Sequence, residues 1–256
     1  MRSVRPKKFL GQHFLTDLSV ARRIADTVDL CPSLPILEVG PGMGVLTQFL
    51  MQKHRPLKVV ELDYESVEYL RSAFPALEDD IIEDDFLKMH LDNTFGQPFV
   101  LTGNYPYNIS SQIFFKMLEF KDFIPCCTGM IQREMAERLS ARPGTKSYGI
   151  ITILIGLWYD VEYLFTVPPS VFNPPPKVQS AVICMRRNGV RDVGCDVALL
   201  TRLVKQSFQQ RRKMLRVSLR GLIPEGHAFS TRRPEQLSIE EFVILTNDVS
   251  ASILSL

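Results

Sequence analysis

Between Ile36 and Ile183, short apolar runs alternate with stretches in which apolar residues recur every three or four positions. Brief apolar runs suit buried strands and the longer period suits amphipathic helices, so the segment predicts a doubly wound α/β sheet. The predicted strands are Ile36–Val39, Lys58–Leu62, Asp80–Ile82, Phe99–Leu101, Cys127–Ile131, Val161–Phe165 and Ser180–Met185. Helices are expected over about residues 45–53, 65–73, 110–120, 132–141 and 147–156. The run VPPSVFNPPPKV, from Val167 to Val178, is too rich in proline for a helix or a central strand and predicts a stiff, extended loop.

After Arg187 the pattern changes. RNGVRDVGCD reads as a linker, and no convincing strand follows Val197. The expected division is therefore a Rossmann-like sheet domain over residues 1–187, carrying a basic N-terminal arm, and a small C-terminal helical domain over 188–256. In that tail Val204, Phe208, Leu215, Leu219 and Leu222 form an apolar stripe, while Lys205, Arg212, Arg216 and Arg220 fall together on another helical face.

Composition narrows the class. A chain of 256 residues with 45% apolar content can bury a sizeable core. It contains no uninterrupted apolar stretch of about 18 residues, and MRSVRPKKFLGQHFL lacks the apolar centre of a secretory signal, so a cytoplasmic protein without membrane contact is expected. Cysteines at 31, 126, 127, 184 and 195 form no CxxC pair, and the four histidines form no HExxH. Reduced thiols and no bound metal are expected. Net charge is only +2, but the basic residues cluster: Arg2, Arg5, Lys7 and Lys8 at one end, SFQQRRKMLRVSLRG in the tail. Both clusters suit phosphate contacts, with Arg211, Arg212, Lys213 and Arg216 as the candidates for RNA binding; a solvated helix face is the plain alternative.

The strongest local signal is ILEVGPGMGVLTQFL, an apolar strand entering Gly40-Pro-Gly42-Met-Gly44 and leaving as a helix. Glycines there let the backbone turn tightly and approach a ligand. The GxGxG spacing differs from the GxGxxG of a dinucleotide site, and no GxxxxGK[ST] loop occurs. Glu61 closes the next strand, 17 residues after Gly44, where a carboxylate can accept both ribose hydroxyls, and Asp85 follows the strand after that, placed to accept from an adenine amine. Each feature alone is also an ordinary turn or a solvated acid. Their order points to a nucleoside cofactor without phosphates, S-adenosylmethionine.

At the fourth strand end stands the quartet Asn104, Tyr105, Pro106, Tyr107. An exocyclic adenine amine is a poor nucleophile because its lone pair is delocalised. If the Asn104 oxygen and the Tyr105 carbonyl accept its two hydrogens, the nitrogen is positioned and its developing charge stabilised without a general base. Tyr107 offers a ring on which a flipped base can stack, worth about 1–3 kcal/mol, and Phe172, on the proline-rich loop, is the candidate for the opposite wall. For both aromatics the plain alternative is core packing.

KKFLGQHFL, LEVGPGMGVLT, VVELD, GNYPYNISS, VPPSVFNPPPKVQSAV and SFQQRRKMLR together resemble the ribosomal RNA adenine dimethyltransferase family of the kasugamycin-sensitivity type. The resemblance runs from about Lys7 to Arg220; the final 30 or so residues match only loosely. It implies S-adenosylmethionine-dependent N6,N6-dimethylation of two adjacent adenosines near the 3′ end of small-subunit ribosomal RNA, on a pre-30S particle and by a monomer. It maps cofactor contacts onto His13, Leu15, Gly40, Glu61, Asp85 and Asn104, to which the glycine turn adds Gly42. His13 stands where the family often has Asn, and Tyr105 where it often has Leu. The alternatives are a macrolide-resistance-type methylase of large-subunit RNA, methylation of a protein glutamine amide, and a non-catalytic assembly factor on the same fold.

Overall fold

A computed structural model describes Lys7 and residues 13–254. Of the expected basic arm, Arg2, Arg5 and Lys8 lie outside the described residues. Lys7 is held by acids, its Nζ 2.5 Å from Asp63 and 3.4 Å from Glu65.

In chain order the elements are β1 (Phe14–Leu15), α1 (Leu18–Asp26), β2 (Ile36–Val39), α2 (Thr47–Leu50), β3 (Leu57–Glu61), α3 (Tyr64–Ala73), β4 (Ile81–Glu83), β5 (Val100–Thr102), α4 (Ser110–Glu119), β6 (Cys126–Gln132), α5 (Arg133–Leu139), α6 (Ile150–Gly156), β7 (Tyr159–Val167), β8 (Phe172–Asn173), β9 (Ser180–Arg187), α7 (Val197–Gln209), α8 (Leu215–Ser218) and α9 (Ile239–Leu254). Seven strands form one sheet in the order β4-β3-β2-β5-β6-β9-β7. From β4 to β6 the pairs are parallel, with Ile36 opposite both Leu57 and Val100, and β9 runs antiparallel to β6. The fold is the expected Rossmann-like α/β sheet, and each predicted strand lies within two residues of an observed one. These strands were legible because β2 and β5 are buried along their whole length and so read as continuous apolar runs. Strand order reverses at β2, which has β3 on one side and β5 on the other, and this opens a crevice beyond the carboxyl ends.

Two features near the N-terminus had no counterpart in the strand and helix pattern. The helix α1 is capped by Asp17, which accepts from Ser19 N at 2.9 Å and Val20 N at 3.3 Å, and it buries Val20, Ala21, Ile24 and Ala25. Strand β1 pairs antiparallel with β8, setting Phe14 opposite Asn173 and Leu15 opposite Phe172. The proline-rich loop is therefore not wholly free of strand, because its centre completes this two-residue clasp. The helix expected over 45–53 is α2 plus a 3-10 turn over Met51–Lys53.

The chain divides into two compact units, one of residues 1–136 and 160–187, the other of 137–159 and 188–256. Residues 137–159, expected within the sheet domain, thus join the helical unit. Gly156 of α6 lies so close to Ile239 of α9 that a Cβ there would stand 2.5 Å from Ile239 Cδ1, and Gly144 N donates to Glu235 O at 2.6 Å.

The tail also departs from the single basic helix expected across residues 205–220. Helix α7, capped by Asp196, ends at Gln209; Lys213 N turns back to Gln210 O, and Leu215 N and Arg216 N donate to Arg232 O and Ser230 O. Those two N–H groups serve a neighbouring segment and are lost to a continuous helix. Arg212, Lys213 and Arg216 are exposed, whereas Arg211 donates to Thr145 O at 3.0 Å.

The expectation of uniformly reduced thiols also fails. Cys31 and Cys126, 95 residues apart in sequence, form a disulfide with Cα atoms 5.8 Å apart. No helix among the described residues is long and apolar enough to cross a membrane.

Candidate active site

The carboxyl ends of β2, β3, β4 and β5 surround a cavity of about 250 Å³. Its floor begins with the glycine turn after β2, where Gly40, Gly42 and Gly44 take φ of 67°, 55° and 73°. These left-handed values disfavour any side chain, and a Cβ on Gly44 would stand 2.2 Å from the Phe74 ring. The turn directs Gly42 N–H at Glu61 Oε2, at 3.0 Å, while Asp63 N–H donates to Glu61 Oε1 at 2.9 Å. Glu61 is thereby aimed by two backbone donors, one on each oxygen. Burial pushes its carboxyl above the ordinary range, and the two N–H bonds oppose that shift. Each oxygen keeps a lone pair for a further donor.

Asp85, half-buried on the loop after β4, accepts from Leu87 N at 3.0 Å and faces Lys88 Nζ at 3.2 Å. His13 and Leu15 come from the segment clasped by β8. His13 Nδ1 lies 2.8 Å from Pro174 O. A carbonyl only accepts, so Nδ1 carries a proton and donates it. All the expected cofactor residues, His13, Leu15, Gly40, Gly42, Glu61, Asp85 and Asn104, line this one cavity.

The quartet is anchored from beneath. Tyr105 N donates to Met130 O at 3.0 Å and Met130 N to Gly103 O at 2.9 Å, extending the β5–β6 ladder past the strand end. The Tyr105 ring is fully buried, edge-on to Phe114, with its hydroxyl 2.9 Å from Thr128 O and 3.2 Å from Cys127 Sγ. One hydroxyl proton serves Thr128 O, so the Cys127 S–H donates to Tyr105; burial pushes that thiol up to about 12 and keeps it protonated. With its ring spent in the core, Tyr105 meets the cavity through its main chain. Asn104 Nδ2 donates to His13 O at 3.3 Å, which leaves Oδ1 as the outward acceptor. Among the described residues, neither Asn104 Oδ1 nor the Tyr105 carbonyl accepts a protein hydrogen bond.

Pro106 and Tyr107 also line the cavity. Tyr107 is half-buried, its hydroxyl bonded to Ser180 Oγ and its ring stacked with His13 at 5.6 Å between centroids and 25° between planes. Phe172 does not stand opposite it. Pairing of β8 with β1 turns the Phe172 ring into the apolar core beside Leu15, where it is 4% exposed and outside the cavity lining. The proposed second wall for a base is thus corrected: the aromatic facing Tyr107 is His13.

Glu38 had no place among the residues expected from sequence. It sits inside the apolar strand ILEV, 1% exposed, reaches the cavity wall and accepts from Thr47 Oγ1 at 2.7 Å. Burial pushes its carboxyl up to about 8, helped by the charge of Glu61. The signal was a lone acid in an otherwise apolar strand, two residues before a glycine turn. With Glu38 included, the cavity has four carboxyl groups, Glu38, Glu61, Asp84 and Asp85, and among the described residues no lysine or arginine lines it. Such a lining suits a cationic ligand and disfavours a pyrophosphate. Short glycine turn, paired acids and apolar walls at Met43, Leu62 and Phe86 fit a nucleoside joined to a sulfonium-bearing amino acid.

The chain is 66% identical to the ribosomal RNA small subunit methyltransferase A of Phocaeicola vulgatus, over 99% of this chain and 92% of that protein. It is 65% identical to the protein of the same name from Bacteroides thetaiotaomicron, over 99% and 97%. Among solved structures it resembles a dimethyladenosine transferase from Plasmodium falciparum, with TM-score 0.77 at 22% identity over 93% of this chain and 98% of that one. It also resembles the 23S rRNA methyltransferase ErmE, with TM-score 0.67 at 26% identity over 91% and 99%. The profile of the family described as "Ribosomal RNA adenine dimethylase" matches residues 4–250, and with that span this chain belongs to the ribosomal RNA adenine dimethylase family.

Proposed function

We propose that this protein transfers methyl groups from S-adenosylmethionine to N6 of two adjacent adenosines near the 3′ end of small-subunit ribosomal RNA, giving N6,N6-dimethyladenosine. The observation that carries the reading is the pairing of an acid-lined cavity, with no lysine or arginine among its described lining residues, with two outward acceptors, Asn104 Oδ1 and the Tyr105 carbonyl, at its rim. Small-subunit RNA as substrate is supported by relatives above 60% identity.

Glu61, aimed by Gly42 and Asp63, would hold the ribose hydroxyls, and Asp85 the adenine amine. Gly40, Gly42, His13 and Leu15 would complete the cofactor's surroundings. When bound, S-adenosylmethionine supplies an electrophilic methyl group on a charged sulfur. The chain's own part is positioning. Asn104 Oδ1 and the Tyr105 carbonyl accept the two N6 hydrogens of the target, which orients the nitrogen and stabilises positive charge as it develops there. Tyr107 and His13 form the aromatic element beside that rim, and a base drawn out of its stack needs such a surface to offset the unstacking. For the second methylation one hydrogen remains and one acceptor suffices.

Exposed Arg212, Lys213 and Arg216, with Arg211 beside them, would follow RNA phosphates. The protein would act as a cytoplasmic monomer on a pre-30S particle. The test is methyl transfer from labelled cofactor to purified small and large subunits lacking the modification, followed by mass spectrometry of nucleosides. Dimethyladenosine in small-subunit RNA is the expected result. Label confined to large subunits would support the ErmE-like alternative, and monomethyladenosine alone under excess cofactor would refute dimethylation.

A further inference from the structure

At the amino end of β6, away from the cavity, the sulfurs of Cys31, Cys126 and Cys184 lie within 4.8 Å of one another. The antiparallel register sets Cys126 opposite Arg186 and Cys184 opposite Thr128, so the two cysteines are diagonal neighbours on one face of the sheet, with Sγ atoms 4.0 Å apart. Cys31, at the end of the turn that follows α1, is bonded to Cys126. None of the three lines the cavity, and methyl transfer uses none of them.

We propose that reduction of the Cys31–Cys126 bond converts this cluster into a binding site for one soft, three-coordinate centre, with trivalent arsenic as the fitting chemistry. The site is independent of the methyl-transfer reading. A thiol or phosphine reductant delivers two electrons, and with two protons the disulfide becomes two thiols while the reductant is oxidised. Three converging thiols then select a thiophilic centre. No histidine or carboxylate among the described residues joins the group, so zinc would lack the fourth ligand of a closed structural site.

Charge separates the remaining candidates. The cysteines belong to an apolar cluster with Val28 and Val182, Cys126 and Cys184 are fully buried, and burial pushes the Cys184 thiol up. A divalent ion on three thiolates would bring a net negative charge into that core, which desolvation penalises. Arsenous acid leaves none: three As–O bonds break, three As–S bonds form, and each hydroxyl departs as water with one thiol proton. In the oxidised chain only Cys184 of the three is a thiol, so the site exists only after reduction.

The experiment treats the full-length protein, oxidised or reduced with a phosphine that is then removed, with sodium arsenite, and reads the adduct by native mass spectrometry and the free thiols after denaturation. Reduced wild type should gain one arsenic and lose three hydrogens, with reactive thiols falling from five to two. The oxidised protein should gain none. Cys184→Ser should abolish the three-thiol adduct and Cys195→Ser, in the linker, should retain it. An adduct that has lost only two hydrogens, equal uptake by the oxidised protein, or displacement of arsenic by equimolar cadmium would overturn the proposal. The comparison of oxidised with reduced wild type stands even where a cysteine variant fails to fold.

Discussion

The Asn104 side-chain amide donates to the backbone carbonyl of His13, 91 residues earlier in the chain, at 3.3 Å. That bond uses one of the amide's two hydrogens on the protein and presents its oxygen to the cavity. Asn104→Ala should lower turnover by about 10²–10³-fold, the loss found for one preorganised group, with the fold intact. Asn104→Asp should lose as much, because a carboxylate facing the His13 carbonyl has no donor to offer. The labelled-methyl assay and a melting curve check both; near wild-type turnover in folded Asn104→Ala would reduce the quartet to a structural turn.

Tyr105 should behave in the opposite way. Its hydroxyl is buried on Thr128 O and Cys127, so Tyr105→Phe leaves a carbonyl and a thiol without their partner and should cost about 1–3 kcal/mol of stability. Turnover per folded molecule should change little, since only the main chain meets the cavity. A large fall in turnover with unchanged denaturant midpoint would contradict this division of labour.

Glu61→Gln replaces one acceptor oxygen with an NH2 that must face a backbone N–H, of Gly42 or of Asp63. Cofactor affinity should weaken by roughly 10–100-fold, the range for removal of a charge-assisted hydrogen bond. Calorimetry with S-adenosylmethionine measures it, and unaltered affinity would remove Glu61 from the ribose contact.

Glu38 predicts a pH dependence. Its folded carboxyl is pushed up to about 8 from 4.5, so between those values the folded state keeps a proton that the unfolded chain has released. Its contribution to stability is full below 4.5 and is lost as pH rises towards about 8. Glu38→Gln is neutral throughout, so the melting temperature of the variant should gain on wild type as pH rises through that window. Parallel profiles would show that Glu38 is not the titrating acid.

Charge reversal at the exposed pair Arg212 and Lys213 should weaken binding to small subunits without touching cofactor affinity. The slope of log affinity against log salt should flatten by about 0.7–0.9 for each phosphate that is no longer neutralised. An unchanged slope would mark these side chains as solvated surface.

How much of this was legible depends on whether the cause was local. Buried parallel strands announce themselves as apolar runs, and Gly40, Glu61, Asp85 and Asn104 sit at their ends, so sheet and cavity followed from local pattern. Phe172 was misread because its direction is set by pairing with Leu15, on a segment more than 150 residues away. The break after Gln209 was missed for a similar reason, since Ser230 and Arg232 draw off the N–H groups that a longer helix would need. Glu38 escaped because burial, which a sequence does not display, is what alters its carboxyl. The Cys31–Cys126 bond escaped because α1 and its following turn carry Cys31 back to the sheet.

The clasp between β1 and β8 bears on the order in which the protein comes into being. Thr16 bonds Val171 O through both N and Oγ1, and His13 bonds Pro174 O, so the wall contributed by His13, Phe14 and Leu15 hangs on residues 171–174. Translation delivers the chain from its N-terminus. The glycine turn, Glu61, Asp85 and Asn104 therefore all emerge from the ribosome while the earliest segment, which Asn104 holds at His13 O, still lacks its bonds to residues 171–174. Two-thirds of the polypeptide must be made before the cavity has all its sides, so a nascent fragment ending short of Pro174 carries every polar group of the site and no closed site to put them in.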